Sequence, residues 1–411
     1  MGEVARSRQQ RRWVRWVLLI ALILVVVVSG YSGYVAIRAA QPVTLPVPTG
    51  PYEVGRTLFE WTDSTRTDLL AAQPGKPREL SVWLWYPGVP GPGAQHAPYT
   101  PGAWAGLHVG GAAGLGETSF ADVRDHSYAD VPVAPGRFPV VVLEPGMGLA
   151  APQYTTLAED LASHGYLVAG VTPTYSANLT VLNGQTVSAT DAGQPPTTGT
   201  ANEHAGEAQA AGDRLVAVWA ADDQFAATRL AALNASGRFA GHITVGTIVY
   251  AGHSFGGAAA LEACRTDPHC AGAADLDGTQ YGAVVDAGLA KPMMLIGSQN
   301  SCITGACQPA DVGSQTSRDT ARTLLAASTG GAWCYTITGA QHFNFSDYGS
   351  YYLAAPIRSQ VPLGPIDGVE ALTITNAYLS AFVDHVAQGR PEPLLTGHPP
   401  YPQVDVQHTP S

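Results

Sequence analysis

The stretch Ile248-Val249-Tyr250-Ala251-Gly252-His253-Ser254-Phe255-Gly256-Gly257-Ala258-Ala259-Ala260 constrains this chain most. A β-branched apolar run, suited to a buried strand, passes through a glycine-framed serine into alanine-rich sequence of high helix propensity. Gly252-x-Ser254-x-Gly256 has the form of a nucleophile elbow: strand, strained turn, helix. The glycines are needed because the turn leaves no room for side chains on either side of the serine. The turn lifts the Ser254 hydroxyl above the carboxyl edge of a sheet. The next amide opens a helix, where its N–H is free to meet an anion. A bare GxSxG recurs by chance. The strand-like run before it and the small-residue helix after it carry the weight. The bland alternative is a glycine-rich strand–helix turn without chemistry.

A chain of 411 residues that is 45% hydrophobic and 13% charged can bury a large core, and its 46 glycines and 31 prolines imply many loops. A net charge of −11, with no basic cluster beyond the first fifteen residues, excludes nucleic acid as a partner. The oligomeric state is not fixed by sequence.

The N-terminus stands apart. Arg6, Arg8, Arg11, Arg12 and Arg15 precede an apolar run from Trp16 that continues, more weakly, to Ile37. About 20 such residues cross a bilayer. The arginines then stay in the cytoplasm and the rest of the chain lies outside. The rival is a cleaved signal peptide and a secreted protein, with Gly30-Tyr31-Ser32 as the best small-x-small site. The length of the run favours the anchor. The expected organisation is a cytoplasmic segment 1–15, a membrane span 16–37, a proline-rich linker 38–52, a catalytic domain 53–390 and a flexible tail 391–411.

Export permits disulfides among the five cysteines. Cys264 and Cys270 lie across a helix end, and Cys302 and Cys307 flank a short loop. Cys334 is left in a strand, although it could bridge to Cys302 or Cys307. No Cys/His group has metal-ligand spacing, so neither a metal nor a cofactor is expected.

Along the chain, Val54–Thr62 and Glu79–Tyr86 read as an edge hairpin, and residues 87–135 as a loop-rich partial cover with a short helix near Gly102 to Gly110. Phe138 to Leu143 is a strand buried on both faces. A helix from Gln153 to His164 and a strand from Tyr166 to Val171 complete a βαβ unit. A polar excursion from Thr172 to Gly206 has a turn at Asn183-Gly184. Next come a long helix, Glu207 to Leu233, the elbow strand, and a helix to Cys264. Short strands follow at Ala271–Leu276, Pro292–Ile296 and Trp333–Ile337, with helices at Ser317–Ala327 and Val369–Val386. The tail from Pro391 reads as loose. The fold class is α/β, a mostly parallel sheet with helices on both faces.

A serine hydroxyl needs a base, and the base needs an orienting acid. Of the twelve histidines, His342 alone ends a core strand after Ser254. His385 falls in a helix, His269 in a loop, and His398 and His408 in the tail. For the acid, Gln299-Asn300 ends the next-to-last strand without a carboxylate. The preceding strand ends in Asp275-Leu276-Asp277-Gly278, where both aspartates face one side if the strand stays regular. Asp277 lies nearer the carboxyl end. Asp286 and Asp311 are weaker candidates. His253 packs beneath the elbow, and His164 caps a helix. Asn178, Asn234 and Asn344 fit the glycosylation pattern without further support.

Gly252-His253-Ser254-Phe255-Gly256-Gly257, Asp275-Leu276-Asp277-Gly278 and His342-Phe343 together resemble the plasma-type platelet-activating-factor acetylhydrolases and their bacterial relatives. So do the passage from Asp160 to Ala169 and His126-Ser127-Tyr128 ahead of Phe138-Pro139-Val140-Val141. The resemblance covers roughly Glu79 to Val386. It implies an α/β-hydrolase fold, a triad of Ser254, Asp277 and His342, and an oxyanion hole from the amides of Phe255 and Met147. It implies a phospholipid substrate with a short or oxidised sn-2 acyl chain, or another lipid or small ester. Where the family has His-Gly-x-Gly, this chain has Pro145-Gly146-Met147-Gly148, with Glu144 beside it. The alternatives are a general carboxylesterase, lipase or polyester hydrolase, an acyltransferase of the same fold, and a non-catalytic cell-surface binding domain.

Overall fold

A computed structural model describes residues 2–109, 114–196 and 205–410. The centre is a ten-stranded sheet. Its strands are β1 (Glu53–Thr67), β2 (Pro77–Gly88), β3 (Tyr128–Ala129), β4 (Phe138–Glu144), β5 (Leu167–Thr172), β6 (Ile243–His253), β7 (Cys270–Leu276), β8 (Met293–Ser298), β9 (Ala332–Ile337) and β10 (Val404–His408). Their order across the sheet is β10-β9-β8-β7-β6-β4-β5-β2-β1-β3. The six strands from β5 to β9, with β4 between β5 and β6, run parallel. The β1–β2 hairpin is antiparallel and flanks one side, and β10 is antiparallel at the other.

The parallel strands read as unbroken apolar runs because both faces are covered. On β4 the side chains alternate. Val141 and Leu143 join one core with Leu157, Leu161, Leu372 and Phe382. Val140 and Val142 join the other with Leu230, Leu261 and Leu324. Helices α2 (Thr155–Ser163) and α6 (Gly368–Gln388) thus cover the first face, and α3 (Ala205–Leu233), α4 (Phe255–Thr266) and α5 (Val312–Ala327) the second. Full burial of each such aliphatic side chain contributes roughly 1.5–3 kcal/mol.

Several boundaries differ from the sequence reading. The short helix expected near Gly102 to Gly110 is a 3₁₀ turn over Gly102–Gly106; Gly110 itself lies outside the described residues. The polar excursion holds a hairpin, Thr180–Leu182 with Gln185–Val187, turning at Asn183-Gly184 as expected; residues 197–204 lie outside the described residues. Helix α5 starts earlier than expected, because the Asp311 carboxylate accepts from the Ser314 amide at 2.7 Å and caps it. The tail corrects the expectation of looseness. Val404–His408 pairs with β9, and Val404 and Leu395 are buried. Proline-rich composition suggested a free end, whereas the bare edge of β9 supplies a hydrogen-bonding partner. Cys264–Cys270 and Cys302–Cys307 are disulfides, and Cys334 is a buried free thiol. The N-terminal helix, Gly2–Ala39, is long and apolar enough from Arg11 onward to cross a membrane, and that part is exposed.

A buried charge cluster ties β2 to α3. Arg78, 1% exposed, donates to Asp222 at 2.6 Å, to Asp68 at 3.1 Å and to the Thr174 carbonyl at 2.9 Å. Removing the cation strands buried carboxylates. Arg78→Met should therefore lower unfolding stability by about 3–5 kcal/mol, read by urea denaturation. A loss under about 1 kcal/mol would contradict the role given to this cluster.

Candidate active site

Ser254 stands between β6 and α4 at φ 56, ψ −126. A non-glycine residue at positive φ costs on the order of 1–3 kcal/mol, so its neighbours must hold it there. Two glycines permit the turn by close approach. A Cβ on Gly252 would lie 2.3 Å from the Gly256 carbonyl, and one on Gly256 would lie 2.5 Å from the Glu144 carbonyl oxygen. The Ser254 amide donates to the Leu276 carbonyl at 2.8 Å, fastening the turn to β7.

The structure brings Ser254, His342 and Asp277 together. His342 begins a 3₁₀ turn just after β9. Its Nδ1 lies 2.7 Å from Asp277 Oδ2 and its Nε2 lies 2.9 Å from Ser254 Oγ. An ionised carboxylate only accepts, so Nδ1 donates to Asp277 and leaves Nε2 to accept from the serine hydroxyl. Asp277 also accepts from the Ser298 amide at 2.7 Å. Burial alone would raise its pKa. The bonds from His342, Ser298 and Ser301 outweigh burial and hold the carboxyl below its usual range.

Asp275 lies in β7 and Asp277 just beyond its end, so the same-side placement expected of a regular strand does not apply. Asp277 has left the strand at φ 60. Asp275 turns inward, fully buried, and accepts from the Gly278 amide at 2.8 Å and from Gln280 at 3.2 Å. Burial pushes its carboxyl well above the usual range. It braces the turn that presents Asp277. Asp286 sits in a short helix, Val284–Ala287, and Asp311 caps α5. His385 packs edge-on against Trp333.

The Met147 loop passes the serine closely: a Cβ on Gly146 would come within 3.2 Å of Ser254 Cβ. Among the described residues, neither the Phe255 nor the Met147 amide has an acceptor. Two free N–H groups beside a serine can receive a developing oxyanion.

Sequence reasoning missed how the loop and the histidine are joined. The Gly146 amide donates to Tyr154 Oη at 2.9 Å. Tyr154 Oη lies 2.6 Å from His253 Nδ1, and His253 Nε2 donates to the His342 carbonyl at 2.8 Å. His253 thus packs beneath the elbow, as expected, and also ties one side of the site to the other. Burial, with His342 nearby, lowers its pKa to about 3 and keeps it neutral. Nothing in the pattern around Tyr154 announced this contact, which depends on the folded placement of the loop.

Glu144, at the end of β4, is fully buried against Asp223. No donor other than the facing carboxyl reaches either group. Burial and mutual repulsion push Glu144 well above its usual range, and burial pushes Asp223 up to about 7. Both carboxyls are thereby biased toward the protonated form beneath the Pro145–Gly148 loop.

Two cavities lie beside the site, one reaching His342 and Asp277, the other reaching the Met147 loop and Phe343. One, of about 740 Å³, is bordered by His342, Asp277, Thr279, Tyr281, Ser301 and Ser317. The other, of about 450 Å³, is bordered by Val109, Met147, Leu149, Phe343, Ile357 and Val361. Val109 comes from the 87–135 region expected to cover the site, whereas Pro356, Ile357, Gln360 and Val361, which the sequence reading gave no such place, complete the border.

Asp277→Asn should keep the geometry but fix the wrong imidazole tautomer, lowering kcat on a p-nitrophenyl ester about 10⁴-fold. A loss of less than tenfold would contradict an orienting role for Asp277. His253 generates a stability prediction. Unfolded, it takes a proton near 6.5; folded, only near 3. Between these values the unfolded chain binds more protons, so this contribution to stability falls as pH falls from about 6.5 towards 3. The urea midpoint should drop more steeply across that window in the natural protein than in His253→Gln. Equal slopes would contradict a neutral buried His253.

No family model matches the chain. A probable 1-alkyl-2-acetylglycerophosphocholine esterase of Arthroderma benhamiae is 24% identical over 392 residues, covering 88% of this chain and 92% of that protein. A ferulic acid esterase from Streptomyces cinnamoneus superposes with a TM-score of 0.71 at 28% identity, covering 89% of this chain and 100% of that one. The first bears out the likeness to the acetylhydrolases read from the motifs. On both comparisons the chain stands among the carboxylic ester hydrolases.

Proposed function

We propose that the protein is a serine esterase of the α/β-hydrolase fold, and that Ser254, His342 and Asp277 are its triad. The single observation carrying this reading is the hydrogen-bonded line from Asp277 through His342 to Ser254, at 2.7 and 2.9 Å. Ser254 Oγ attacks the ester carbonyl carbon while His342 Nε2 takes its proton. The oxyanion faces the Phe255 and Met147 amides. As the tetrahedral intermediate collapses, His342 returns the proton to the leaving alcohol oxygen, and an acyl-serine remains. Water, deprotonated by His342, attacks that acyl group; as the Oγ–acyl bond breaks, His342 returns the proton to Ser254 Oγ and the acid is released. Asp277 orients the imidazole and offsets its positive charge.

The acyl group is placed in the smaller cavity, where Val109, Leu149, Phe343, Ile357 and Val361 offer apolar wall and Asn178 and Gln360 add polar groups. Its modest volume supports short or compact acyl chains, which accords with the names of both relatives. A phospholipid with a short or oxidised sn-2 chain is one member of that class, as is an ester handled by a general carboxylesterase. The apolar N-terminal helix is read as a signal anchor holding the domain outside the cell. Its length supports this, because 29 residues, Arg11–Ala39, are apolar enough to span a bilayer. A mature N-terminus at Gly33, or between Ala39 and Pro42, would instead make the protein secreted.

Ser254→Ala should abolish hydrolysis of p-nitrophenyl acetate while leaving the thermal unfolding midpoint within a few degrees of the natural protein. Retained turnover in a folded variant would overturn the proposal.

A further inference from the structure

The alcohol half of the ester also needs a place beside the triad, and the larger cavity bears on it. The inference rests on the esterase triad. His342 Nε2 must reach both Ser254 Oγ and the leaving oxygen, so the alcohol lies on the His342 side. The cavity of about 740 Å³ opens there, within the ~300–1,000 Å³ usual for small-molecule sites.

Its walls are hydroxylic. Thr279 Oγ1 donates to Ser317 Oγ at 3.1 Å, and Ser317 is only 6% exposed. Ser301 and Asn300 add polar groups at the rim. Tyr281 presents an aromatic ring packed 5.4 Å from Phe255, hence fixed in place. The Cys302–Cys307 disulfide closes the adjoining loop, which makes that wall rigid.

The charge is as telling as the hydroxyls. No Lys or Arg is among the described residues lining the cavity. A phosphodiester placed there would lose water without gaining a cation. The N-terminus of α5 reaches the cavity and could in general receive an anion. Here the Asp311 carboxylate already occupies it, accepting from the Ser314 amide at 2.7 Å. The negative charge of Asp311 then opposes a second anion. A neutral alcohol bearing several hydroxyls meets none of these costs, and it can exchange hydrogen bonds with Thr279, Ser301 and Ser317.

We propose that the cavity bordered by Thr279, Tyr281, Asn300, Ser301 and Ser317 receives the alcohol half of the ester, and that this alcohol is a neutral sugar or polyol, not an anionic phosphodiester. The test compares kcat/KM for 6-O-acetylglucose, whose other hydroxyls are free, and for diacetyl phosphatidylcholine below its micellar concentration, with p-nitrophenyl acetate as reference. The sugar ester should be cleaved at least tenfold faster than the phospholipid. The Thr279→Val/Ser317→Ala double variant should lower the ratio of sugar-ester to p-nitrophenyl acetate turnover about tenfold, the scale set by two lost hydrogen bonds. Equal or faster cleavage of the phospholipid, or an unchanged ratio in the double variant, would overturn the proposal. Failure on p-nitrophenyl acetate itself would instead strike the esterase reading, so the two failures are distinguishable.

Discussion

The positive φ of Ser254 is the constraint on which the site depends. A serine does not hold that conformation unaided, and the surroundings over-determine it. Gly252 and Gly256 let the turn close on itself and on the end of β4. The Leu276 carbonyl fastens it to β7. These contacts need β4, β6 and β7 side by side, and the sheet order provides that. The same order delivers Asp277 from the end of β7 and His342 from the end of β9. Strain at one residue is therefore balanced by a sheet that also positions the other two.

Beneath the elbow the site is knit by buried polar groups that must stay paired. Gly146, Tyr154, His253 and the His342 carbonyl form one hydrogen-bonded chain from the free-amide loop to the histidine. Each member satisfies the next, which is what makes the chain tolerable in a low dielectric. A proton on His253 would remove the acceptor that Tyr154 uses. The Glu144–Asp223 pair, by contrast, finds no donor beyond the facing carboxyl among the described residues, and burial raises both pKa values. Proline in the loop takes away a side chain that could brace it. Tyr154 braces the loop from below instead.

Much of this was legible in the sequence, for physical reasons. Strands β4 and β5 and the elbow strand are buried on both faces, so their apolar runs are unbroken and hard to misread. Ser254 was marked by local chemistry, and His342 by its place after the last parallel strand. The absence of a carboxylate at Gln299-Asn300 pointed to β7 for the acid. Choosing Asp277 over Asp275 needed the chain to leave the strand, and the family likeness supplied the choice ahead of the geometry. What could not be read was non-local. The pairing of Val404–His408 with β9 depends on an edge formed by distant residues. Tyr154 carries no local signal for its bond to His253. The start of α5 was within reach, since Asp311 three residues before Ser314 is a capping pattern.

The central claim is that Ser254 carries the acyl group. The most direct measurement is peptide mass mapping of the folded protein after reaction with a fluorophosphonate, at a stoichiometry fixed by intact mass. The account predicts one adduct per chain, on the peptide containing Ser254, and its suppression by a competing short-chain ester. An adduct on another residue, or none in a preparation that still cleaves esters, would contradict it.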